Sequence, residues 1–159
     1  MSEYDNFIDK FRESLRHVES SIAIALNAHL EIEGNLDDYL NAIFAHPKYL
    51  HQARLSYYDK LAVARAYTPI AHDRPEWEMM TLINTIRNRI AHRNKDEVLQ
   101  IDVSRLRAIV FQAFEKLQAE LTGAAPSEVI IYATAICCGF LLVLTEEVSQ
   151  TERVRIHSE

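Results

Sequence analysis

Glycine and proline are scarce, at three and four in 159 residues. Turns draw on these two most, because glycine reaches left-handed backbone angles and proline presets one dihedral. Their scarcity predicts few, long elements and an all-α chain. Cysteine is almost absent too. The only two, Cys137 and Cys138, are adjacent within an apolar run, where they suit neither an ordinary structural disulfide nor metal-ligand spacing. They read as reduced core residues of a cytoplasmic protein. The chain contains no glycine-rich phosphate loop, no His-Glu-x-x-His and no Cys-x-x-Cys. Nucleotide-hydrolysing and zinc enzymes are therefore disfavoured, and no cofactor is expected. The opening residues, Met1 to Asp5, are acidic and polar, unlike a secretory signal.

What is present is ordinary for a globular domain: 48% apolar and 25% charged residues, with a net charge of −6. This mild acidity supplies no global attraction for nucleic acid, so any such binding needs a local patch. The length suits one domain, expected over residues 1–150, with a frayed polar tail at 151–159.

Apolar spacing predicts an antiparallel bundle of about five to six helices. In the first, from about Tyr4 to Glu33, Phe7, Phe11, Leu15, Val18, Ile22, Leu26 and Leu30 recur every three or four residues. This is the stripe of an amphipathic helix, expected to end at Gly34 as a left-handed cap. A short helix capped by Asn35 then buries Leu36, Leu40, Ile43 and Phe44. Residues 46–55 fit either loop or helix. Ser56-x-x-Asp59 opens a third helix through Tyr67. The segment Asp73-Arg74-Pro75-Glu76 starts another, running from Trp77 to Ile90. Asp102 reads as the cap of the next, which carries Val103, Leu106, Val110, Phe114, Leu117 and Leu121 as far as Gly123.

The last helix, Glu128 to about Gln150, contains sixteen uncharged residues, Val129 to Leu144. A membrane span needs about 20 apolar residues and is oriented by flanking lysine or arginine. This run is shorter and flanked by acids, so it reads as a buried helix, covered by the bundle or by a second subunit, with no membrane involved.

Between the fourth and fifth helices lies Arg87-Asn88-Arg89-Ile90-Ala91-His92-Arg93-Asn94-Lys95, with four cations and no acid. Arg87 and His92 are separated by roughly 140° on an ideal helix. They converge only if the helix ends near Ala91 and His92 turns back. Arginine donates a planar, permanently charged fork to phosphate, and histidine transfers protons near neutral pH. The competing reading is structural, since cations offset a helix C-terminal dipole and an Asn-His pair caps carbonyls.

The pattern Arg87-Asn88-x-x-x-His92 at the end of a helix resembles the HEPN superfamily. Ile86-Arg87-Asn88-x-x-Ala91-His92 is also similar to HEPN-like relatives of the mannitol-operon repressor. The first resemblance implies a metal-independent endoribonuclease acting as a toxin or antiviral effector, with Arg87, Asn88 and His92 catalytic. It also implies a homodimer whose two motifs form one composite site, RNA as substrate, and an antitoxin or regulatory partner protein. Arg89, Arg93 and Lys95 are then RNA-backbone contacts, with a solvated basic face as the alternative. The second resemblance implies a non-catalytic regulatory or binding module. In one branch of the superfamily an inactivating modification falls on a tyrosine two residues after the histidine. Here that position is Asn94, so that antidote mechanism is not expected. Among other side chains, Glu19 could face the motif, Tyr57 and Tyr58 read as packing, and His29 and the remaining histidines as surface or core-edge residues.

Overall fold

The computed structural model describes the backbone of residues 3–69, 71–92 and 96–156, and the side chains of 22–69, 71–92 and 99–150. It is an all-α helical bundle without a strand among the described residues. Five helices have eleven residues or more: α1 (Glu3–Ile43), α3 (Tyr57–Tyr67), α4 (Glu76–Ala91), α5 (Asp96–Ala113) and α7 (Pro126–Ile156). Two short ones, α2 (Lys48–Ala53) and α6 (Gln118–Leu121), sit in the connections.

The core is built mainly from α1, α4 and α7. Ile32 and Leu36 of α1, Met80, Ile83 and Ile86 of α4, and Ala133, Cys137 and Leu141 of α7 belong to one buried cluster. His29 and Arg87 are neighbours, and so are Tyr39 and Glu76, so α4 runs antiparallel to α1. Residues 24–31 of α1 face 131–138 of α7, and Tyr39 stands beside Glu147. These two helices therefore run in the same direction. Short loops impose antiparallel order only on consecutive helices, and five other helices separate this pair.

Three expectations are corrected. Gly34 does not end the first helix. Its backbone stays helical within α1, which continues to Ile43, and Asn35 donates its side-chain amide to the Glu31 carbonyl at 2.8 Å instead of capping. A glycine lowers helix propensity by about 1 kcal/mol, and the buried run Ile32, Leu36, Tyr39, Leu40 and Ile43 outweighs that. Second, the described end of the α1 stripe does not face the core. Ile22 and Leu26 are each 39% exposed and Leu30 53%, whereas the small residues Ala25 and Ala28 are buried. α1 packs most extensively on α7, and Ala28 lies beside Ile131, Thr134 and Ala135 of that helix. Phe7, Phe11, Leu15 and Val18 lie outside the described side chains. Third, α5 begins at Asp96, six residues before the expected cap, and stops at Ala113 rather than Gly123. Phe114 turns out of the helix at φ −137°, ψ 72°, before a 3-10 turn, Glu115–Leu117.

Other starts follow local chemistry. Ser56 and Asp59 form a reciprocal capping box, with Asp59 N–H donating to Ser56 Oγ at 3.3 Å and Ser56 N–H to Asp59 Oδ2 at 3.0 Å. Residues 48–53 resolve as a helix. α4 starts as expected, yet Asp73 does not cap it. Arg74 instead donates Nε and Nη2 to the buried Glu76 carboxylate at 3.2 and 2.7 Å. α7 extends to Ile156, six residues beyond the expected end.

Within Pro126–Gln150 the mean hydropathy of α7 reaches 2.1 over an 18-residue window, and only 33% of that window is buried. By length and composition it would suit a membrane span. Ile131, Tyr132, Leu142 and Val143 are left exposed.

Candidate functional site

α4 ends at Ala91, the first half of the condition the sequence sets for Arg87 and His92 to converge. His92 is the residue that leaves the helix, at φ −91°, ψ 9°. Its backbone N–H donates to the Asn88 carbonyl at 3.0 Å, and its side chain is exposed. The imidazole therefore stands in solvent while its own backbone is satisfied.

Arg87 and Asn88 are adjacent on the helix and half-buried, and Arg87 Nη1 donates to Asn88 Oδ1 at 2.8 Å. The amide holds one arm of the fork. Adjacent helical positions do not ordinarily face each other, so the length of the arginine makes this contact. Arg89 has a different role from the one expected. Its Nη1 lies 2.5 Å from Oδ2 of Asp102, a residue only 7% exposed on α5. Asp102 is thus not a cap but the partner of a motif cation, and the pair ties α4 to α5. Arg93 and Lys95 lie outside the described residues, as does Asn94.

Beneath Arg87 the structure assembles a cluster that spacing in the sequence did not indicate. His29 on α1 is 8% exposed, with its ring 4.5 Å from that of Tyr57 and its Nε2 3.4 Å from Glu33 Oε2. Lys60 bridges Glu33 and Asp37 at 2.9 and 2.8 Å. Burial, above all, holds the His29 imidazole below its ordinary value. Glu33 pulls it up, while Arg87 and Lys60 push it further down. His29 Nδ1 is buried without a hydrogen-bond partner among the described residues. The only visible sign of this cluster was the four-residue spacing of His29 and Glu33. The 57 residues between His29 and Arg87 are closed by packing alone.

Tyr57 is a packing residue, donating its hydroxyl to the Met80 carbonyl at 3.1 Å, whereas Tyr58 is exposed. The Glu19 side chain lies outside the described residues. Cys137 is buried in the core and Cys138 half-buried, and both are free thiols whose ionisation is suppressed by burial.

A large cavity, about 930 Å³, opens at the opposite end of α4, between α7 and the α3–α4 connection. Sequence reasoning did not find it, because no local pattern encodes a gap between helices.

Fold and geometry together define a class: an all-α helical bundle that presents an arginine, an asparagine and an exposed histidine at the end of a core helix. Compared with protein-family models, curated proteins and solved structures, the chain matches none.

Proposed function

We propose that this protein is a metal-independent endoribonuclease of the HEPN type, acting in the cytoplasm as a homodimeric toxin or antiviral effector. The observation that supports it best is the helix end itself. His92 is exposed where α4 stops, and Arg87 stands five residues earlier with part of its guanidinium held by Asn88. In the reaction, the 2′-hydroxyl of one nucleotide loses its proton and attacks the adjacent phosphorus. The bond to the 5′-oxygen breaks, and that oxygen takes up a proton. The products are a 2′,3′-cyclic phosphate and a 5′-hydroxyl. His92 serves the proton transfers and Arg87 the charge that builds on phosphate. One histidine cannot be both acid and base in a single step, so a second copy of the motif completes the site. The exposed apolar residues of α7 suit that pairing. Arg93 and Lys95 would follow the RNA backbone. Arg89 is engaged with Asp102 and contributes mainly to the fold.

A second reading, a non-catalytic regulatory or binding module with a protein partner, draws support from the same internal pairings. Asn88 and Asp102 engage two of the motif arginines within the chain itself.

Purified protein is expected to degrade RNA in EDTA, and His92→Ala and Arg87→Ala each to lower the rate by about 10²–10⁴-fold with little change in Tm. Stable variants that lose no activity, or a wild type that cleaves no RNA, would favour the regulatory reading. Marked loss of stability in His92→Ala would make His92 a structural cap.

A further inference from the structure

We propose that the 930 Å³ cavity beside α7 binds an uncharged, largely apolar small molecule carrying one hydrogen-bond acceptor. The cavity exists because its neighbours stop short. α3 ends at Tyr67 and α5 at Ala113, and beyond those points α7 continues with one flank lined, among the described residues, by Thr68, Pro69, Ala71, Arg74 and Phe114. From Ile136 to Glu147 the wall is roughly 16 Å long, and the volume is within the range of small-molecule sites.

The walls decide the chemistry. Phe114, Ile136, Phe140 and Leu144 supply aromatic and aliphatic surface that gains by shedding water. The inner polar groups are spoken for. Thr68 gives its hydroxyl proton to the Ala64 carbonyl at 2.9 Å, so the 2.8 Å contact with Tyr39 is a donation from Tyr39 to Thr68. Glu76 is engaged by Arg74. A charged ligand would have to leave water for a wall that is mostly apolar, which is costly, so an uncharged ligand is favoured. Arg74 spends only two of its five N–H groups on Glu76. Its side chain is 51% exposed, which leaves donors at the rim for one acceptor oxygen.

The chain contains its own reporter. Its single tryptophan, Trp77, packs edge-on against Phe140 with ring centroids 5.2 Å apart. Gly139 lines the cavity, and a Cβ added there meets nothing within 4 Å. Gly139→Phe therefore starts into open space beside the cavity. Ala135 is another exposed lining position, at which Ala135→Phe adds bulk.

The test titrates the full chain with Nile red, an uncharged dye with one carbonyl. Saturable binding of one dye per chain is expected, with blue-shifted emission and Trp77 quenching at the same midpoint. Gly139→Phe and Ala135→Phe should each weaken binding by about tenfold or more, with melting transitions retained. Ile131→Gln, outside the cavity, should leave binding unchanged. The proposal fails if binding does not saturate, if both filling variants bind as well as wild type, or if Ile131→Gln alone abolishes it. It also fails if an anionic or cationic dye of similar size binds more tightly, or if light scattering shows the dye splitting a dimer at the same midpoint. In that last case the cavity is a subunit interface.

Discussion

Arg89 and His29 show how a single side chain acquires a meaning that its neighbours in sequence do not give it. Arg89 is one of four cations in a basic run, yet it sits 32% exposed against a carboxylate that is nearly buried. Arg89→Ala should therefore cost about 3 kcal/mol in urea unfolding, the low end for breaking a buried ion pair, because it strands Asp102 away from water. Arg89→Met with Asp102→Leu should recover most of that loss. If Arg89→Ala is neutral, the pair is only a surface contact. For His29 the sign follows from its depressed value. The unfolded chain takes up a proton near pH 6.5 while the folded chain resists until a lower pH. Stability is thus fully present above about pH 6.5 and is lost as pH falls towards the folded value, by at most about 1.4 kcal/mol per pH unit. Melting scans between pH 7 and 5 should show the decline. His29→Leu, which cannot protonate, should flatten it, and an identical slope in both proteins would rule His29 out as its source.

At the level of elements, helix existence was legible and helix ends were partly so. The Ser56–Asp59 box and the Glu76 start were readable because capping is a contact between residues three or four apart. Gly34 was misread because the same residue serves as a stop signal or as a tolerated interior position. Which applies depends on what the following residues bury. Gly34→Ala separates the two cases. Inside a continuous helix with open space around the position, alanine should raise stability by about 0.5–1 kcal/mol. At a left-handed cap it would lower it. The stripe of α1 was read correctly as helical, yet its described residues Ile22, Leu26 and Leu30 lie away from the core. Periodicity reports which residues share a face, and it does not say which of two apolar faces meets the core.

For the whole molecule, the composition argument of few turns and long elements led directly to the all-α bundle. Assembly is the open consequence. Ile131 and Leu142 are each 52% exposed on the most apolar helix of the chain, and we propose that a second copy covers them. Light scattering at micromolar concentration should report a dimer for wild type and a monomer for Ile131→Asp with Leu142→Asp. A wild type that is monomeric at that concentration would remove both the interface and the composite site.

Residue order was sufficient for the helical class, for most helix starts and for singling out Arg87, Asn88 and His92, because each depends on contacts within about one turn. The exposure of His92, the Arg89–Asp102 pair, the burial of His29 beside Arg87 and the cavity beside α7 came only from packing. Each joins residues far apart along the chain, and which of them meet is set by how the helices rotate and where they stop against one another.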